Sequence, residues 1–573
     1  MKILFRSIFI IITVILLRPV QIQAQIDPAS KKIISAGWDM PTTEYLRQNW
    51  EAMDARGVFD GCTFNLAAAS PDGKIRVTSL NLWDAQKWEP EWFQSAEENL
   101  DACKFQNATE NFILIITHPG TVTWNDEAGW AILREKFSIL SKVAKHGKIR
   151  GFALDFEDYG GGLFVFHPER GLSWDETKRL VRQRGREFMA GLSAEVPDAV
   201  FLAYNLNNMM QHAGGAADPD VVLESDTYGL LPVFLDGMLD ALPEGARLVD
   251  GCGYGYVADS LEDFQTRTLR VKQWDGPCER LVSPENRGKY RSQMQVGFGL
   301  YLDSYINPEG SAYYFGEKAG GTRLDHFAEN LGRALDCADE YVWLYGEGGR
   351  WYGQKSLYEC VENPDVKSVG KFRSWEVLIP GIADRIRWVH RPTDWAMQRV
   401  KELRAAGKLE NLAQNPSFSE GEAGKMPVSY SFWQNGASHG TARWDETVTF
   451  PGSPAGACLL EKVENGCILQ SVPVRPGERY LIRLKSLRSG AAAVSTLIQW
   501  QHENGAWKYE IPNLTIFPVS LPDSEWSEST AVVTIPPDCG RLVLTPGVKR
   551  QSEGGKVWFD ELEIYRLDSC NEN

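Results

Sequence analysis

Eight apolar segments that alternate with helical patterns occupy the chain between residues 32 and 349. Each apolar segment is short and rich in Ile, Val, Phe and Tyr, which is typical of parallel strands that are buried on both faces. Eight such strands alternating with helices predict an α/β fold, a closed (β/α)8 TIM barrel. The eight predicted strand segments are 33–40, 59–66, 112–120, 150–158, 200–207, 247–258, 294–305 and 341–349.

The segments between these strands carry the start and stop signals of helices. The segment after the first strand begins with two threonines, and Ser173 stands three positions before Glu176 as in a capping box. The eighth helix is predicted over residues 392–407, because a proline stands at its start and Gly407 at its end. We therefore expect the barrel domain to span residues 30–408.

The remainder, residues 409–573, has a different residue pattern. It has no helical period, and short alternating runs such as YLIRLKSL and VVTIPP are separated by Gly and Pro turns, which predicts an all-β jelly-roll sandwich. The opening NLAQNPSFSEG, the aromatic run PVSYSFWQNG and the closing VWFDELEIYRL resemble strands of galactose-binding-like carbohydrate-binding modules. The resemblance implies a sandwich carried by a secreted glycosidase, either as a glycan-binding module or as a structural appendage.

Residues 1–24 have the pattern of a signal peptide. Lys2 and Arg6 precede an apolar run from Ile8 to Leu17, and Ala24 is a small residue at the predicted cleavage point. The apolar run is too short for a membrane span, although an uncleaved anchor is the alternative. No later segment is long and apolar enough to cross a bilayer. We expect an exported chain, secreted or periplasmic, or held at the cell surface.

Charge and cysteine content exclude several kinds of partner. The net charge is −16, and with no basic tract this argues against nucleic acid. The ten cysteines form no C-x-x-C pair, and no glycine-rich phosphate loop is present, so we predict neither a metal nor a cofactor. In an oxidising compartment the closest candidates for disulfides are Cys252–Cys278 and Cys458–Cys467.

Polar and aromatic residues stand at the carboxyl ends of the predicted strands, where (β/α)8 enzymes place their active sites. Carboxylates and amides hydrogen-bond sugar hydroxyls, and aromatic rings stack on the C–H faces of sugars. These residues predict a site for a polysaccharide or oligosaccharide. The candidate substrate-binding residues are Trp38, Asp39, Asn65, His118, Tyr204, Asn205, Tyr256, Tyr301 and Trp351.

The fourth strand, in the run RGFALDFED, ends in carboxylates. Asp155 and Glu157 are two positions apart and therefore point to the same side of the strand. Two carboxylates this close raise the pKa of one of them, which gives a carboxylic acid able to protonate a glycosidic oxygen near neutral pH. We interpret Glu157 as the general acid/base and Asp155 as its electrostatic neighbour. A structural pair bridged to an Arg or Lys is the alternative.

The run GFALDFE resembles the strand-four signature of the chitinase-like glycoside hydrolases, which ends in Asp-x-Glu. Asp155 and Glu157 match this signature, whereas Arg150 and Ala153 stand where that family has two earlier Asp residues. The resemblance implies that Glu157 is the proton donor and that Asp155 orients an acetamido group of the substrate, which acts as the nucleophile.

Without such assistance from the substrate, a second enzyme carboxylate must act. The candidates are Asp303 at the seventh strand and Glu347 at the eighth, with Asp155 itself as a further nucleophile candidate. A separation of about 5 Å between the two carboxyls means retention and roughly 6.5–9.5 Å means inversion. The sequence as a whole predicts a glycoside hydrolase. The alternatives are a non-catalytic carbohydrate-binding surface protein and an adhesive protein whose barrel is only a scaffold.

Overall fold

The computed structural model describes residues 31–117, 120–157, 162–318, 321–352, 373–436 and 438–568. The chain divides into two compact units, residues 1–382 and 383–573. The predicted signal peptide and His118 lie outside the described residues. Among the helices that are described, none combines the length and the apolar character needed to cross a membrane.

The first unit is built on a nine-stranded sheet in which every pair of neighbours is parallel. Its order is β10-β11-β1-β2-β5-β6-β7-β8-β9. The nine strands are β1 Lys32–Ser35, β2 Gly61–Phe64, β5 Phe112–Ile116, β6 Gly151–Asp155, β7 Val200–Ala203, β8 Arg247–Asp250, β9 Met294–Val296, β10 Phe298–Tyr301 and β11 Tyr341–Tyr345. Two small two-stranded sheets accompany it: β3 Ala67–Ala69 with β4 Arg76–Thr78, and β12 Gly349–Arg350 with β13 Arg373–Ser374.

The two end strands of this order are consecutive in the chain, and only Gly297 separates them. β9 pairs with β8 and β10 pairs with β11, so the sheet is nearly closed as a barrel. A Cβ at Gly297 would lie 2.9 Å from the carbonyl oxygen of Tyr341 and 3.0 Å from Cγ1 of Val249. The crossing point therefore requires glycine, because no side chain fits between the neighbouring strands.

All eight predicted strand segments form strands of this sheet, but each strand is shorter than its apolar run. The run 247–258 shows why. The strand ends at Asp250, Cys252 adopts a left-handed φ of 43°, and a 3₁₀ helix follows over Gly253–Val257. Three glycines in that run favour such a turn, and an apolar run alone does not say where pairing ends.

At least one helix stands between consecutive strands of this sheet along the chain, except between β9 and β10. Ser173 and Glu176 form the predicted capping box, and Thr42 caps the first helix. The helices are α1 Thr43–Arg56, α2 Gln94–Ala102, α3 Glu127–His146, α4 Trp174–Ser193, α5 Gln211–Gly214, α6 Pro219–Leu223, α7 Leu231–Ala241, α8 Leu261–Lys272, α9 Pro277–Arg280, α10 Arg287–Gln293, α11 Arg323–Cys337 and α12 Trp375–Leu378. Helix α13, Ile382–His390, begins at the last residue of this unit.

The second unit contains two five-stranded antiparallel sheets, β14-β17-β22-β19-β20 and β15-β16-β23-β18-β21. Side chains from both sheets alternate into one apolar core, as in a β-sandwich. The strands are β14 Ser431–Gln434, β15 Thr441–Asp445, β16 Ala457–Glu461, β17 Asn465–Pro473, β18 Arg479–Ser489, β19 Ala493–Gln501, β20 Leu514–Ile516, β21 Trp526–Thr534, β22 Arg541–Lys549 and β23 Lys556–Arg566.

Helix α14, Pro392–Ala405, is the helix that the sequence analysis assigned to the barrel domain. In the structure it belongs to the second unit. Trp395 and Val400 pack there against Leu481 and Tyr565 of the sandwich. The units thus divide between residues 382 and 383, whereas the sequence placed the boundary after residue 408.

The eight cysteines among the described residues are free thiols. The two candidate disulfides, Cys252–Cys278 and Cys458–Cys467, are therefore not formed in this structure. Cys458 lies in β16 and Cys467 in β17, which belong to different sheets of the sandwich. Closeness in sequence across a turn did not bring these two thiols together.

Candidate functional site

Asp155 and Glu157 lie at the carboxyl end of β6, in the mouth of the nearly closed sheet. Asp155 is 8% exposed, and its Oδ1 accepts the backbone N–H of Glu157 at 2.9 Å. Burial and, to a smaller extent, the negative charge of Glu157 raise the pKa of Asp155 to about 7, although that N–H bond acts in the opposite direction. The raised pKa thus belongs to Asp155, the inner member of the pair, while Glu157 is half-buried.

Tyr204, which follows β7, lies beside this carboxyl pair. Its ring stacks on Trp343 of β11, with centroids 4.2 Å apart and planes 14° apart. Burial raises the pKa of the Tyr204 hydroxyl, and the charges of Asp155 and Glu157 add to the effect. The hydroxyl therefore stays protonated and lies within electrostatic reach of both carboxyls.

Trp343 is an inward-pointing residue that the sequence analysis did not single out. It is buried, and its Nε1 donates to the carbonyl oxygen of Gly251 at 2.9 Å. A Cβ at Gly299 on β10 would lie 2.5 Å from the Trp343 ring, so that glycine makes room for the indole. The pattern YVWLY resembles any buried strand. The signal that could have identified Trp343 is the glycine opposite it on the neighbouring strand, Gly299.

Three tyrosines, Tyr256, Tyr301 and Tyr345, form a group that we call the tyrosine cluster. Tyr256 lies 5.3 Å from Tyr301 and 6.1 Å from Tyr345, measured between ring centroids, with planes nearly parallel. Tyr256 also contacts Trp343 at 5.6 Å. Aromatic contacts within the cluster thus connect the turn after β8, which carries Tyr256, with the ends of β10 and β11, which carry Tyr301 and Tyr345.

Glu347 lies on this cluster. Its two carboxylate oxygens accept the hydroxyls of Tyr301 at 3.1 Å and of Tyr345 at 3.2 Å. The side chain of Glu347 is exposed. Glu347 therefore places a carboxylate at the solvent side of the aromatic group.

Asp303 is bound to the backbone of the loop that carries Glu347. Its Oδ2 accepts the N–H of Glu347 and its Oδ1 accepts the N–H of Gly348, both at 2.7 Å. A Cβ at Gly348 would lie 2.5 Å from Oδ1 of Asp303, so only glycine permits this approach. Burial raises the pKa of Asp303. This geometry makes Asp303 a group that fixes the loop.

Asp39, four residues after the end of β1, binds the same loop further along the chain. Its Oδ2 accepts the N–H groups of Trp351 at 2.5 Å and of Tyr352 at 3.3 Å. Burial raises the pKa of Asp39 to about 6. Two buried carboxylates, Asp303 and Asp39, thus hold the two ends of the segment between Glu347 and Tyr352.

Trp351 and Trp38, both predicted to stack on sugar, have different surroundings. Trp351 is 5% exposed, meets Phe59 edge-on at 4.9 Å and lies under the guanidinium of Arg56. The structure therefore does not bring Trp351 to the tyrosine cluster. Trp38 is partly exposed and, like Tyr256 and Tyr345, packs on the apolar interior of the sheet.

The predicted asparagines also differ. Asn65 is buried and its Oδ1 accepts the hydroxyl of Thr78 at 2.5 Å, which makes it part of the connection after β2. Asn205 after β7 is buried too, but its Oδ1 has no hydrogen-bond partner within the described part of the chain. A buried oxygen of this kind costs about 1–3 kcal/mol when unpaired.

Asp250, the last residue of β8, was not predicted. It is fully buried and accepts the N–H of Asn208 at 3.0 Å and that of Leu206 at 3.3 Å. Burial raises its pKa to about 6. These hydrogen bonds connect β8 to the loop after β7, the loop that contains Tyr204 and Asn205. Within the described ranges, no three His, Cys, Asp or Glu side chains are grouped as ligands of a metal ion would be.

No family model matches the chain, and no curated protein matches it. Among solved structures, the enzymatically active domain of tailspike protein 4 of bacteriophage CBA120 is 12% identical over 27% of this chain, with a TM-score of 0.23. That alignment covers only 21% of the tailspike chain.

Two carbohydrate-binding modules are matched over nearly their whole length. The module TmCBM61, solved in complex with beta-1,4-galactotriose, is 14% identical over 27% of this chain and 99% of the module, with a TM-score of 0.20. The CBM22-1 xylan-binding domain of Paenibacillus barcinonensis Xyn10C is 14% identical over 27% of this chain and 93% of that domain, with a TM-score of 0.21.

Proposed function

We propose that this chain is an exported glycoside hydrolase that cleaves a glycosidic bond in a polysaccharide or glycan. We take the nearly closed sheet as a (β/α)8 TIM barrel in which β9 and β10 are one strand interrupted at Gly297. The observation that carries the proposal is the pair Asp155 and Glu157, coupled at the end of β6 beside Tyr204 and the aromatic group of the mouth.

Glu157 is the general acid in this proposal. Near neutral pH Asp155 holds a proton, because burial and the negative charge of Glu157 raise its pKa to about 7. Glu157 is the more exposed member. It takes this proton from Asp155 and delivers it to the glycosidic oxygen, which leaves Asp155 as the carboxylate. Asp155 remains behind it, bound to the backbone of Glu157, and sets the charge of the pair.

Glu347 is the second carboxylate that we assign to the mouth. It is exposed and oriented by two tyrosine hydroxyls, so it is placed to face a substrate. Asp303 was the other candidate, but both of its oxygens accept backbone N–H groups. We therefore assign Asp303 to positioning of the loop that carries Glu347. A nucleophile supplied by the substrate, with Asp155 orienting it, is the alternative for the second step.

The sugar-contacting surface in this proposal is aromatic with a few polar groups. Trp38, Tyr256 and Tyr345 are partly exposed and present ring faces to C–H groups. The unpaired Oδ1 of Asn205 accepts a sugar hydroxyl. We assign the β-sandwich of the second unit either to glycan binding or to a structural role. In both cases the substrate of the protein is a polysaccharide or oligosaccharide.

Glycan binding without turnover is the second candidate function. The observation that favours it is the engagement of Asp303 and Asp39 with backbone N–H groups, which removes two carboxylates from direct chemistry. In that case the mouth binds sugar through the same aromatic and amide groups, and Glu157 is only one hydrogen-bonding group among them.

A screen of glycosides and soluble polysaccharides with wild type and Glu157→Gln separates these candidates. We expect wild type to hydrolyse at least one substrate and Glu157→Gln to be slower by at least ~100-fold with an unchanged fold. The matched control is Glu135→Gln, an exposed residue of α3, which should equal wild type. Equal rates for Glu157→Gln and wild type would show that Glu157 is not the proton donor, and binding without hydrolysis would favour the second candidate.

A further inference from the structure

Two tyrosines at the rim of the mouth are exposed although their backbones are held in place. Tyr254 is 56% exposed and Tyr313 is 40% exposed, whereas Tyr204 and Trp343 further inside are buried. Large exposed rings that are grouped beside a site are typical of contact surfaces. Neither tyrosine contributes to the site as described so far.

Tyr254 is positioned by the turn that follows β8. The N–H of Gly253 donates to the carbonyl oxygen of Tyr204 at 2.8 Å, and the N–H of Gly255 donates to that of Cys252 at 2.6 Å. The guanidinium of Arg267 donates to the carbonyl oxygen of Tyr254 at 3.3 Å. The turn therefore presents the ring of Tyr254 to solvent from a fixed backbone.

Tyr313 extends the tyrosine cluster outward. Its ring meets Tyr301 at 5.4 Å and Tyr256 at 6.1 Å, edge-on at 83° in both cases. The side-chain amide of Asn307 donates to the carbonyl oxygen of Tyr313 at 2.9 Å, and the N–H of Phe315 donates to that of Ser304 at 2.8 Å. The loop is thus anchored on both sides of the ring.

Glu157 lies within electrostatic reach of this rim. Burial raises the pKa of Tyr254, and the charges of Glu157 and of Tyr313 raise it further. A general acid protonates the oxygen of the leaving group, so the leaving group lies next to the acid on the side away from the inner site. Tyr254 and Tyr313 are exposed aromatic residues at this rim, and Tyr313 contacts the tyrosine cluster.

We propose that Tyr254 and Tyr313 form the binding site for the leaving-group sugar, so that the substrate is an oligosaccharide or polysaccharide chain. This inference rests on the proposed glycoside hydrolase function. Each ring packs on the C–H face of a sugar beyond the bond that is cleaved. A substrate whose leaving group is not a sugar makes no use of this site.

The test compares two kinds of substrate in the full-length protein. The first is a panel of hexasaccharides of the gluco, xylo, manno, galacto and N-acetylglucosamine series, and the second is the matching glycosyl fluorides, whose leaving group is a single atom. We expect Tyr254→Ala/Tyr313→Ala to lower kcat/KM on the hydrolysed hexasaccharide at least tenfold, which equals about 1.4 kcal/mol. The loss on the fluoride should be at least tenfold smaller. Tyr254→Phe/Tyr313→Phe keeps the rings and should restore most of the rate.

The control is Trp274→Ala. Trp274 is exposed and stacks with the guanidinium of Arg291. It lies between α8 and α9, after the end of α8. It should match wild type on both substrates. Equal losses on the two substrates, or no loss on the hexasaccharide, would overturn the leaving-group site while the hydrolase function stands. A wild type without Glu157-dependent hydrolysis overturns the proposed function, and the inference with it.

Discussion

The raised pKa of Asp155 predicts a pH-dependent free energy of unfolding that Asp155→Asn removes. The ordinary pKa of an Asp carboxyl is 3.8, and burial with the charge of Glu157 raises it to about 7 in the fold. A tenfold change in proton affinity corresponds to about 1.4 kcal/mol, so the rise from 3.8 to about 7 corresponds to about 4 kcal/mol. In the pH range between these two values the folded protein binds a proton that the unfolded chain does not bind.

The sign follows from this difference in proton binding. Stability contributed by protonated Asp155 is fully present below about pH 4 and is lost as the pH rises through about 7. The asparagine variant has no such titration. The difference in unfolding free energy, Asp155→Asn minus wild type, should therefore increase by about 4 kcal/mol between about pH 4 and pH 8. Asp39 and Asp250 also have raised pKa values, but they titrate equally in both proteins and cancel in the difference.

Urea unfolding across this pH range measures the difference. The probe is pulsed hydrogen exchange, measured in the peptide that contains β6. It reports on unfolding of the first unit separately from unfolding of the sandwich. Asp198→Asn is the matched control, because Asp198 is exposed just before β7, and its difference from wild type should not change in this way. A difference for Asp155→Asn that is independent of pH, or that decreases as pH rises, would refute the assignment of the raised pKa to Asp155.

Two further predictions concern the close approach at Gly348 and the helix cap at Ser173. Gly348→Ala should destabilise by about 1–3 kcal/mol and lower activity, because its Cβ would lie 2.5 Å from Oδ1 of Asp303. Gly288→Ala, where a Cβ meets nothing within 4 Å, should be neutral or stabilising in the same denaturation assay, and equal effects at both glycines would contradict the close approach. Ser173→Ala should cost about 1 kcal/mol because it removes the capping box with Glu176, and an unchanged unfolding midpoint would show that the cap contributes nothing.

The strands and helix starts were predictable because their signals are local. An apolar run bounded by turn residues specifies a buried strand, and Ser173 with Glu176 specifies a helix start through bonds within four residues. The pairing order followed from alternation with helices, which places parallel strands side by side in sequence. Strand ends were less predictable, because Gly253 and Gly255 redirect the chain after Asp250 only in the context of the neighbouring loops.

The surroundings of helix α14 could not be read from its own sequence. Its apolar spacing is equally suited to packing on a parallel sheet or on a sandwich. In the structure Trp395 and Val400 pack against Leu481 of β18. The sequence of the helix does not identify this partner. A hydrophobic stripe predicts that a helix is covered, but it does not identify the element that covers it.

The described site candidates lie at or after the carboxyl ends of the strands, as the fold class leads one to expect, and their roles stay predictions. The sequence predicts Asp303 as a second catalytic carboxylate and Asp39 as a substrate-binding residue, yet both carboxylates accept backbone N–H groups of the loop after β11. Trp343 was passed over and Trp351 chosen, because a sequence does not say which side of a strand or loop faces the mouth.

The most direct test of the account is the dependence of Glu157→Gln on the leaving group. With the same sugar in the inner site, kcat/KM is measured for a substrate with a sugar leaving group and for its dinitrophenyl glycoside, which departs without protonation. Loss of a general acid predicts a deficit of at least ~100-fold for the first substrate and less than about tenfold for the second. An equal deficit for both substrates, or none for either, would contradict the claim that Glu157 delivers the proton.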